Sequence, residues 1–594
     1  MIRALRRFWK WSGVMRKFVE TNLERALTSY DVEFKTLYNS LDMDDRRFVK
    51  ETVSHFPKKI QRILIALYRK QSTQFEANTF LRLETEKLNE LIPPILLDNF
   101  DASEEELRNL AVDMAKRCRT IQIRQNRIYP PEAVNGKTKS VNAFSRLLAH
   151  KSEPNSGVNP VNASRRNDAL ESVYQLCVDF VNAKGLSAPE INTKQTIEGC
   201  VKRMQDRGWW LGKLRKLMNK KREEVMIHLG KVNRINGIYC SDLTANNRKH
   251  QKQQQSKMLE TFSMTNELGE QVSLKDIYDA NVSNPVLRRN ELMTRTRGFE
   301  DVSKELGHVG LFVTLTCPSK YHNSFSKSGQ RNPKWQGLTP SEGQQYLCNT
   351  WAKIRAEFAR QGIRTYGLRI AEPQHDGTPH WHMLLFMEKH HVDGFKCVIE
   401  RYSLEEDGDE KGAAENRCDF KLIDPKKGSA TGYIAKYVCK NIDGKDLDKG
   451  VYGEDPIKAA QRVEAWASCW GIRQFQQIGG VAVTPWRELR KLRKLDNEDE
   501  PLTEIYKAAD TGDWASYTKL MGGVFCMRKS QVIRPYYEME LNKDTGLIKT
   551  SWFDGLITMK LKGILYKGKE IITRIHTWQL GKAGTDFLPS LGVL

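Results

Sequence analysis

Apolar positions in the middle of the chain change period several times, and each change marks an element. Leu311 to Thr316, LFVTLT, is an unbroken apolar and β-branched run closed by Cys317-Pro318, the pattern of a strand buried on both faces. In TPSEGQQYLCNTWAKIRAEFARQG the period lengthens to three and four, with Thr339-Pro340-Ser341-Glu342 opening a helix and Gly362 ending it. Leu368 and Ile370 then alternate with charged neighbours, and Trp381 with Met383 to Phe386 supplies a second apolar run. Two strands joined at Asp376-Gly377 form a β-hairpin. About fifty residues on, GYIAKYVCK (432–440) has helical spacing. This order of elements gives an α+β fold around a central antiparallel sheet.

The flanks read differently. Residues 1–125 carry helical periodicity, as in FVETNLERALTSYDVEFKTLYNSL, punctuated by Pro93-Pro94, and form a helical N-terminal region. Residues 126–165 are rich in Pro, Asn, Ser and Gly and read as a linker or long loop. Residues 166–300 are a basic helical region, 301–495 hold the sheet, and NEDEP (497–501) marks a second boundary. Residues 502–594 give a small C-terminal α/β module with a turn at Lys543-Asp544-Thr545-Gly546, where Tyr536-Tyr537 is a base-stacking candidate.

Charge narrows the class. The formal net charge of +22 attracts a polyanion, and nucleic acid is the commonest. A membrane span is excluded as a reading, since no apolar stretch is long enough. The amino terminus, MIRALRRFWKWSGVMRKF, has neither the apolar core nor the cleavage site of a secretory signal, so a cytoplasmic location is expected. Eleven cysteines without a Cys-x-x-Cys pair argue for reduced thiols. Between 201 and 260 there are 15 Lys/Arg against 5 Asp/Glu. Lys213, Arg215, Lys216, Lys220, Lys221 and Arg222 follow Trp209 and Trp210 there, a combination suited to phosphate neutralisation and stacking on unpaired bases. The competing reading is a solvated helix face with both indoles buried. RELRKLRK (487–494) is a second basic helix that could extend a DNA surface.

The chemistry lies in the hairpin. His380 and His382, two apart on a strand, point to one face while Trp381 points to the other. Glu372 on the preceding strand joins them only if the loop has an odd number of residues. A loop of 375–377 sets it opposite His380, and one of 376–378 sets it opposite His382. Two imidazoles and a carboxylate leave coordination positions open, as catalysis requires. His390-His391 is a less suitable pair, because adjacent strand residues face opposite ways. On the helix, Tyr433 and Tyr437 stand at i and i+4, as do Lys436 and Lys440, roughly 5–6 Å apart at Cβ. Tyrosines at this spacing are commonly core filler, but a phenol beside a cation and a lysine is a competent nucleophile toward phosphorus.

PHWHMLLF followed by YIAKY resembles the HUH endonuclease superfamily. More closely, LFVTLTCPSKYH (311–322), AEPQHDGTPHWH (371–382), DPKKGSATGYIAKYVCKNIDG (424–444) and AWASCWGIRQFQQIGGVAVTPWRELRK (465–491) resemble the replication gene A protein family of temperate tailed bacteriophages. The likeness is strong from about 190 to 495, with no departure at the ligand or tyrosine positions. It implies that 301–495 is an HUH endonuclease domain, with LFVTLT beside the histidine strand. It further implies that Glu372, His380 and His382 hold Mg2+ or Mn2+, that Tyr433 and Tyr437 attack DNA, and that Lys436 assists. The implied function is a two-tyrosine initiator of rolling-circle replication that nicks single-stranded or melted origin DNA through a 5′-phosphotyrosine in the bacterial cytoplasm. No Walker-type motif is present, so a host helicase is implied beside the replicative polymerase. A two-tyrosine transposase, a conjugative relaxase and a non-enzymatic origin-binding protein are the alternatives, as is a hydrolase using activated water.

Overall fold

The computed structural model describes residues 40–128, 160–193, 195–445, 448–450, 452–492, 500–542 and 545–582. The basic amino terminus, most of the linker, the turn at 543–544 and the boundary at 493–499 lie outside the described residues. The chain divides into two compact units, the first of residues 1–137, 154–192 and 200–225, the second of 138–153, 193–199 and 226–594.

The first unit is helical. Met43–Val53, Lys58–Tyr68 and Gln74–Leu91 are separate helices, and the third opens on a Thr73/Glu76 capping box and ends before Pro93. Glu104–Ile128, Pro160–Asn182 and the first part of Arg207–His228 supply a core that includes Cys118, Val181, Trp210 and Leu214. The basic stretch 166–300 is therefore not one body. Its residues 166–192 and 200–225 belong to this unit because Trp210 and Leu214 are core side chains.

The second unit mixes helix with antiparallel sheet. Its central elements are α1 (Pro285–Glu305), β1 (Val309–Leu315), α2 (Pro340–Arg360), β2 (Tyr366–Pro373) and β3 (Pro379–Met387). They are followed by β4 (Cys418–Leu422), α3 (Ala430–Ile442), α4 (Pro456–Trp470) and β5 (Phe475–Ile478). The sheet order is β4-β1-β3-β2-β5, antiparallel throughout. The α2 helix opens on the Thr339/Glu342 capping box, and Gly362 beyond its end adopts φ 70°.

Alternation along β3 sorts the two faces of the sheet. Trp381 points toward α2, where its indole N–H donates to Gln344 Oε1 at 3.1 Å. His382 and Leu384 face α3 with Phe312, Leu368 and Ile370. That core continues without a break through Phe299, Trp486, Trp514, Tyr517 and Ile564. Residues from 502 onward thus share the core of the sheet rather than closing one of their own. Three of their strands, Ile533–Met539, Met559–Tyr566 and Lys569–Ile572, form a small antiparallel sheet, whereas Trp578–Lys582 pairs with Phe262–Asn266.

Gly367 in β2 lies opposite Leu385, and a Cβ there would collide with the Leu384 carbonyl oxygen. Gly367→Ala is expected to cost the upper end of the roughly 1–3 kcal/mol typical of overpacking, or more, because backbone cannot yield as a side chain does. Chemical denaturation of the two chains measures this, and an unchanged midpoint would contradict the close approach.

Candidate active site

The hairpin that carries the histidines is held by its own turn. Gln374 N–H bonds Thr378 O at 2.8 Å, leaving the loop 375–377, and Gly377 takes φ 83°. Of the two odd-length loops open to the sequence, the structure adopts the one that sets Glu372 opposite His380. Asp376, fully buried, accepts from Thr378 N–H at 3.0 Å, from Asn323 N–H at 3.1 Å and from His322 Nδ1 at 3.1 Å. Burial alone would raise the Asp376 carboxyl, but the His322 charge and hydrogen bond outweigh it and hold the group at about 2. On His322, burial works against the charged form and Asp376 overcomes it, so the net shift is upward.

The pair gives the hairpin a signature against pH. A depressed carboxyl adds stability that is lost as pH falls below its unfolded value, and a raised imidazole adds stability that is lost as pH rises above its own. The contribution is complete only between roughly pH 4 and 6.5. His322→Gln is therefore expected to lower the thermal midpoint most inside that window and least at its two sides. A pH-independent decrement would mean that the pair is not ionised.

Glu372, His380 and His382 converge: each offers one ligand atom, and these atoms lie within 4.8 Å of one another. The imidazole centroids of His380 and His382 are 4.6 Å apart. Glu372 and His382 are buried, whereas His380 is partly exposed. His382 Nδ1 hydrogen-bonds Thr314 Oγ1 at 3.2 Å, which orients the ring and leaves Nε2 free. His380 Nδ1 is buried with no hydrogen-bond partner. Burial, reinforced at His380 by its neighbour His382, depresses the imidazoles to about 3 and about 4, so both keep their lone pairs at neutral pH. These are the properties of a cation site: an unpartnered buried nitrogen, two neutral imidazoles and an ionised carboxylate. A second convergent group, Glu388, His390 and His391, sits in the polar turn Lys389–His391, with His390 exposed and Glu388 3.8 Å from Arg364.

Lys440 and Asn441, the second of them not singled out from sequence, complete the carboxylate's environment. Lys440 Nζ binds Glu372 Oε1, and Asn441 Nδ2 donates to Oε2 at 2.9 Å, all three side chains being buried. Burial would raise the Glu372 carboxyl, but the Lys440 charge dominates and brings it to about 2. A carboxylate has about four lone-pair sites, so one donor on each oxygen leaves room for a cation. Of the two lysines at i, i+4, Lys440 is the one that contacts Glu372, whereas Lys436 is exposed and has no partner among the described residues. The i, i+4 spacing allowed either, and only the side on which α3 packs distinguishes them.

The α3 helix is fixed at both ends. At its start Ser429 caps Gly432 N–H at 3.0 Å, and Glu300 of α1 accepts from Thr431 N–H at 2.9 Å and Thr431 Oγ1 at 2.6 Å. The anion there also complements the helix dipole. At its end Asn441 and Lys440 tie it to Glu372, and Arg289 of α1 reaches Asp443 at 3.1 Å. The two tyrosines are thereby set in unlike surroundings. The Tyr437 ring lies 4.1 Å from His382, centroid to centroid, and stacks on Phe312 at 5.2 Å. Burial, then the charges of Glu372 and Asp419, push its phenol up and keep it protonated at rest. Tyr433, one turn earlier, lies under Lys421 Nζ at 4.8 Å from the ring centroid.

The basic block of the first unit is largely engaged internally. Trp210 is fully buried and its N–H donates to Met204 O at 2.7 Å, so it takes the buried alternative and offers no face to a base. Trp209 is partly buried, with Lys213 over its ring at 5.4 Å. Arg215 pairs with Glu104, Lys221 with Glu224 at 2.8 Å, and Arg222 donates to Phe100 O. Lys216 is exposed and Lys220 partly buried. All eleven cysteines are free thiols, seven of them buried. Among the described residues no helix is long and apolar enough to cross a membrane.

Comparison with known proteins gives the relatives. The family profile of bacteriophage replication gene A protein (GPA) matches residues 132–445, just over half of the chain. The replication gene A protein of Escherichia phage 186 is 41% identical over 399 residues, 65% of this chain and 56% of that protein. The replication protein of Haemophilus phage HP1 is 36% identical over 70% of this chain and 54% of its own length. A probable replication endonuclease from a prophage-like region of Salmonella typhimurium is 35% identical over 57% of this chain and 44% of its own. The chain thus spans about half the length of the relatives it matches. No solved structure matches it.

Proposed function

The chain belongs to the bacteriophage replication gene A protein family, and from that premise we propose that it is a site-specific single-strand DNA endonuclease and strand transferase that initiates rolling-circle replication. The observation that carries this reading is a phenol, Tyr437, whose ring packs against His382 of a Glu/His/His cluster, with a second phenol one helical turn away. Core filler explains neither the ionised carboxylate nor the unpartnered imidazole nitrogen of His380.

Glu372, His380 and His382 would hold Mg2+ or Mn2+, which supplies Lewis-acid stabilisation of charge on a phosphoryl oxygen when bound. The Tyr437 oxygen attacks phosphorus and gives up its proton to water. A P–O bond to tyrosine forms as the P–O3′ bond breaks, and the departing 3′ oxygen takes a proton. The products are a 5′-phosphotyrosine and a 3′-hydroxyl that a host polymerase extends. Because the ester conserves the energy of the broken bond, rejoining needs no ATP. Tyr433 is the second nucleophile, used when the regenerated junction is cut and the first ester is attacked by the freed 3′-hydroxyl. Lys440 is a positioning residue, keeping Glu372 ionised and aimed. Attack needs an accessible phosphate, so the substrate is single-stranded or melted origin DNA, opened by a host helicase.

The test is incubation of the chain with 3′-end-labelled single-stranded origin DNA and Mg2+, followed by denaturing electrophoresis. Label that migrates with protein supports the reading. Cleavage without adduct would point instead to a hydrolase, and binding without cleavage to a non-enzymatic origin-binding protein.

A further inference from the structure

Beside β5, on the edge of the sheet, the second unit contains a cavity of about 940 Å³. Its wall is unusually rich in one chemistry. Arg288 and Arg295 enter it from α1, Arg364 from the approach to β2, and Arg473 and Arg487 from either side of β5. Arg528 and Arg534 close the far side. Against these seven guanidiniums the lining offers one carboxylate, Glu291, and it is already shared. Arg487 grips it with two hydrogen bonds of 2.7 and 2.9 Å, and Arg295 reaches it at 3.5 Å.

Of the remaining cations only Arg364 has an anion close at hand. Arg288 Nε is buried without a hydrogen-bond partner. Arg528 and Arg534 are exposed and form no ion pair among the described residues, and Arg473 donates only to Phe475 O at 3.3 Å. Arg364 lies 4.4 Å over the Phe525 ring and 3.8 Å from Glu388. Like charges gathered in one enclosure repel, and this arrangement is relieved by a polyanion rather than by a single counterion. Tyr537 in the same wall is exposed and offers a face on which a base stacks, beside the partly buried Phe475 and Phe525.

The cavity adjoins the tyrosine site through one strand. Phe475 in its wall follows Gln474, whose carbonyl accepts from Ala371 N–H at 2.7 Å and whose side chain reaches Asn441 at 3.5 Å. Asn441 in turn holds Glu372.

We propose that this cavity binds single-stranded DNA adjoining the reacting phosphate, with phosphates on the free guanidiniums and bases on the aromatic wall. The proposal rests on the reading of the Tyr437 site as DNA-reacting. Arg528→Gln with Arg534→Gln, both exposed, tests it in the full chain, and an unchanged thermal midpoint verifies folding. Affinity for a fluorescent single-stranded oligonucleotide is measured from low to high salt. Removing two phosphate contacts should flatten the slope of log K against log[salt] by about 1.4, at roughly 0.7 per contact. Adduct yield should fall on long oligonucleotides and stay at the wild-type level on one spanning only the reacting phosphate.

An unchanged slope overturns the cavity proposal while leaving the tyrosine site untouched. A flattened slope in a chain that forms no adduct supports the cavity and removes the nicking reading. Preference for duplex over single strand overturns the proposal. So does a loss of the arginine-dependent effect when inorganic pyrophosphate is added at equal phosphate concentration, since the cavity would then be a small-anion site.

Discussion

Replacing Tyr437 by Phe is expected to lower the rate of adduct formation on single-stranded origin DNA by at least about 10³-fold, because it deletes the reacting oxygen and leaves the binding surfaces intact. The change is isosteric, so the ring keeps its packing on His382 and Phe312 and stability should move little. Tyr433→Phe should cost the first cleavage far less. One helical turn, about 5.4 Å, separates the two phenols, and Tyr433 sits beside Lys421 rather than a ligand imidazole. Its loss should appear instead as failure of strand transfer, with the first adduct accumulating. The double variant should form no adduct at all. Adduct retained in the double variant would remove both tyrosines from the chemistry.

The second large effect concerns stability and ion binding together. Glu372→Ala leaves the Lys440 ammonium buried with no carboxylate, and stranding one member of such a pair costs about 3–5 kcal/mol. The same change removes one of three converging ligands, so Mn2+ affinity should fall by at least about 100-fold. Adding Lys440→Met to Glu372→Ala removes the stranded charge and should recover most of the stability without recovering Mn2+ binding. Thermal unfolding and calorimetric titration of the two variants separate these effects. If the second substitution deepens the instability, the Glu372–Lys440 pair is not what the first one breaks.

Local pattern carried the hairpin, because strand alternation alone puts His380 and His382 on one face and Trp381 on the other. It also carried the α3 helix. It could not choose the loop register or the lysine, since two odd-length loops and two lysines at i, i+4 fit equally. Those choices follow from contacts distant in sequence: Asn323 and His322 hold the turn at Asp376, and β2 receives Lys440 from 68 residues away. Trp209 and Trp210 look alike in sequence, yet only Trp210 is fully enclosed by the helices that meet at Cys118 and Cys177. Composition drew boundaries where charge and proline cluster, whereas packing carried the aromatic core past 502 through Trp514 and Tyr517. The arginine-lined cavity was invisible for the same reason, its wall being drawn from positions between 282 and 537.

The α3 helix is anchored by Glu300 and Arg289 at one flank and by Glu372 underneath. Its two phenols are fixed posts at a constant pitch. On the proposed reading, alternation between them falls to the nucleic acid, which advances past the helix after each exchange. The origin rather than the enzyme is then the moving part.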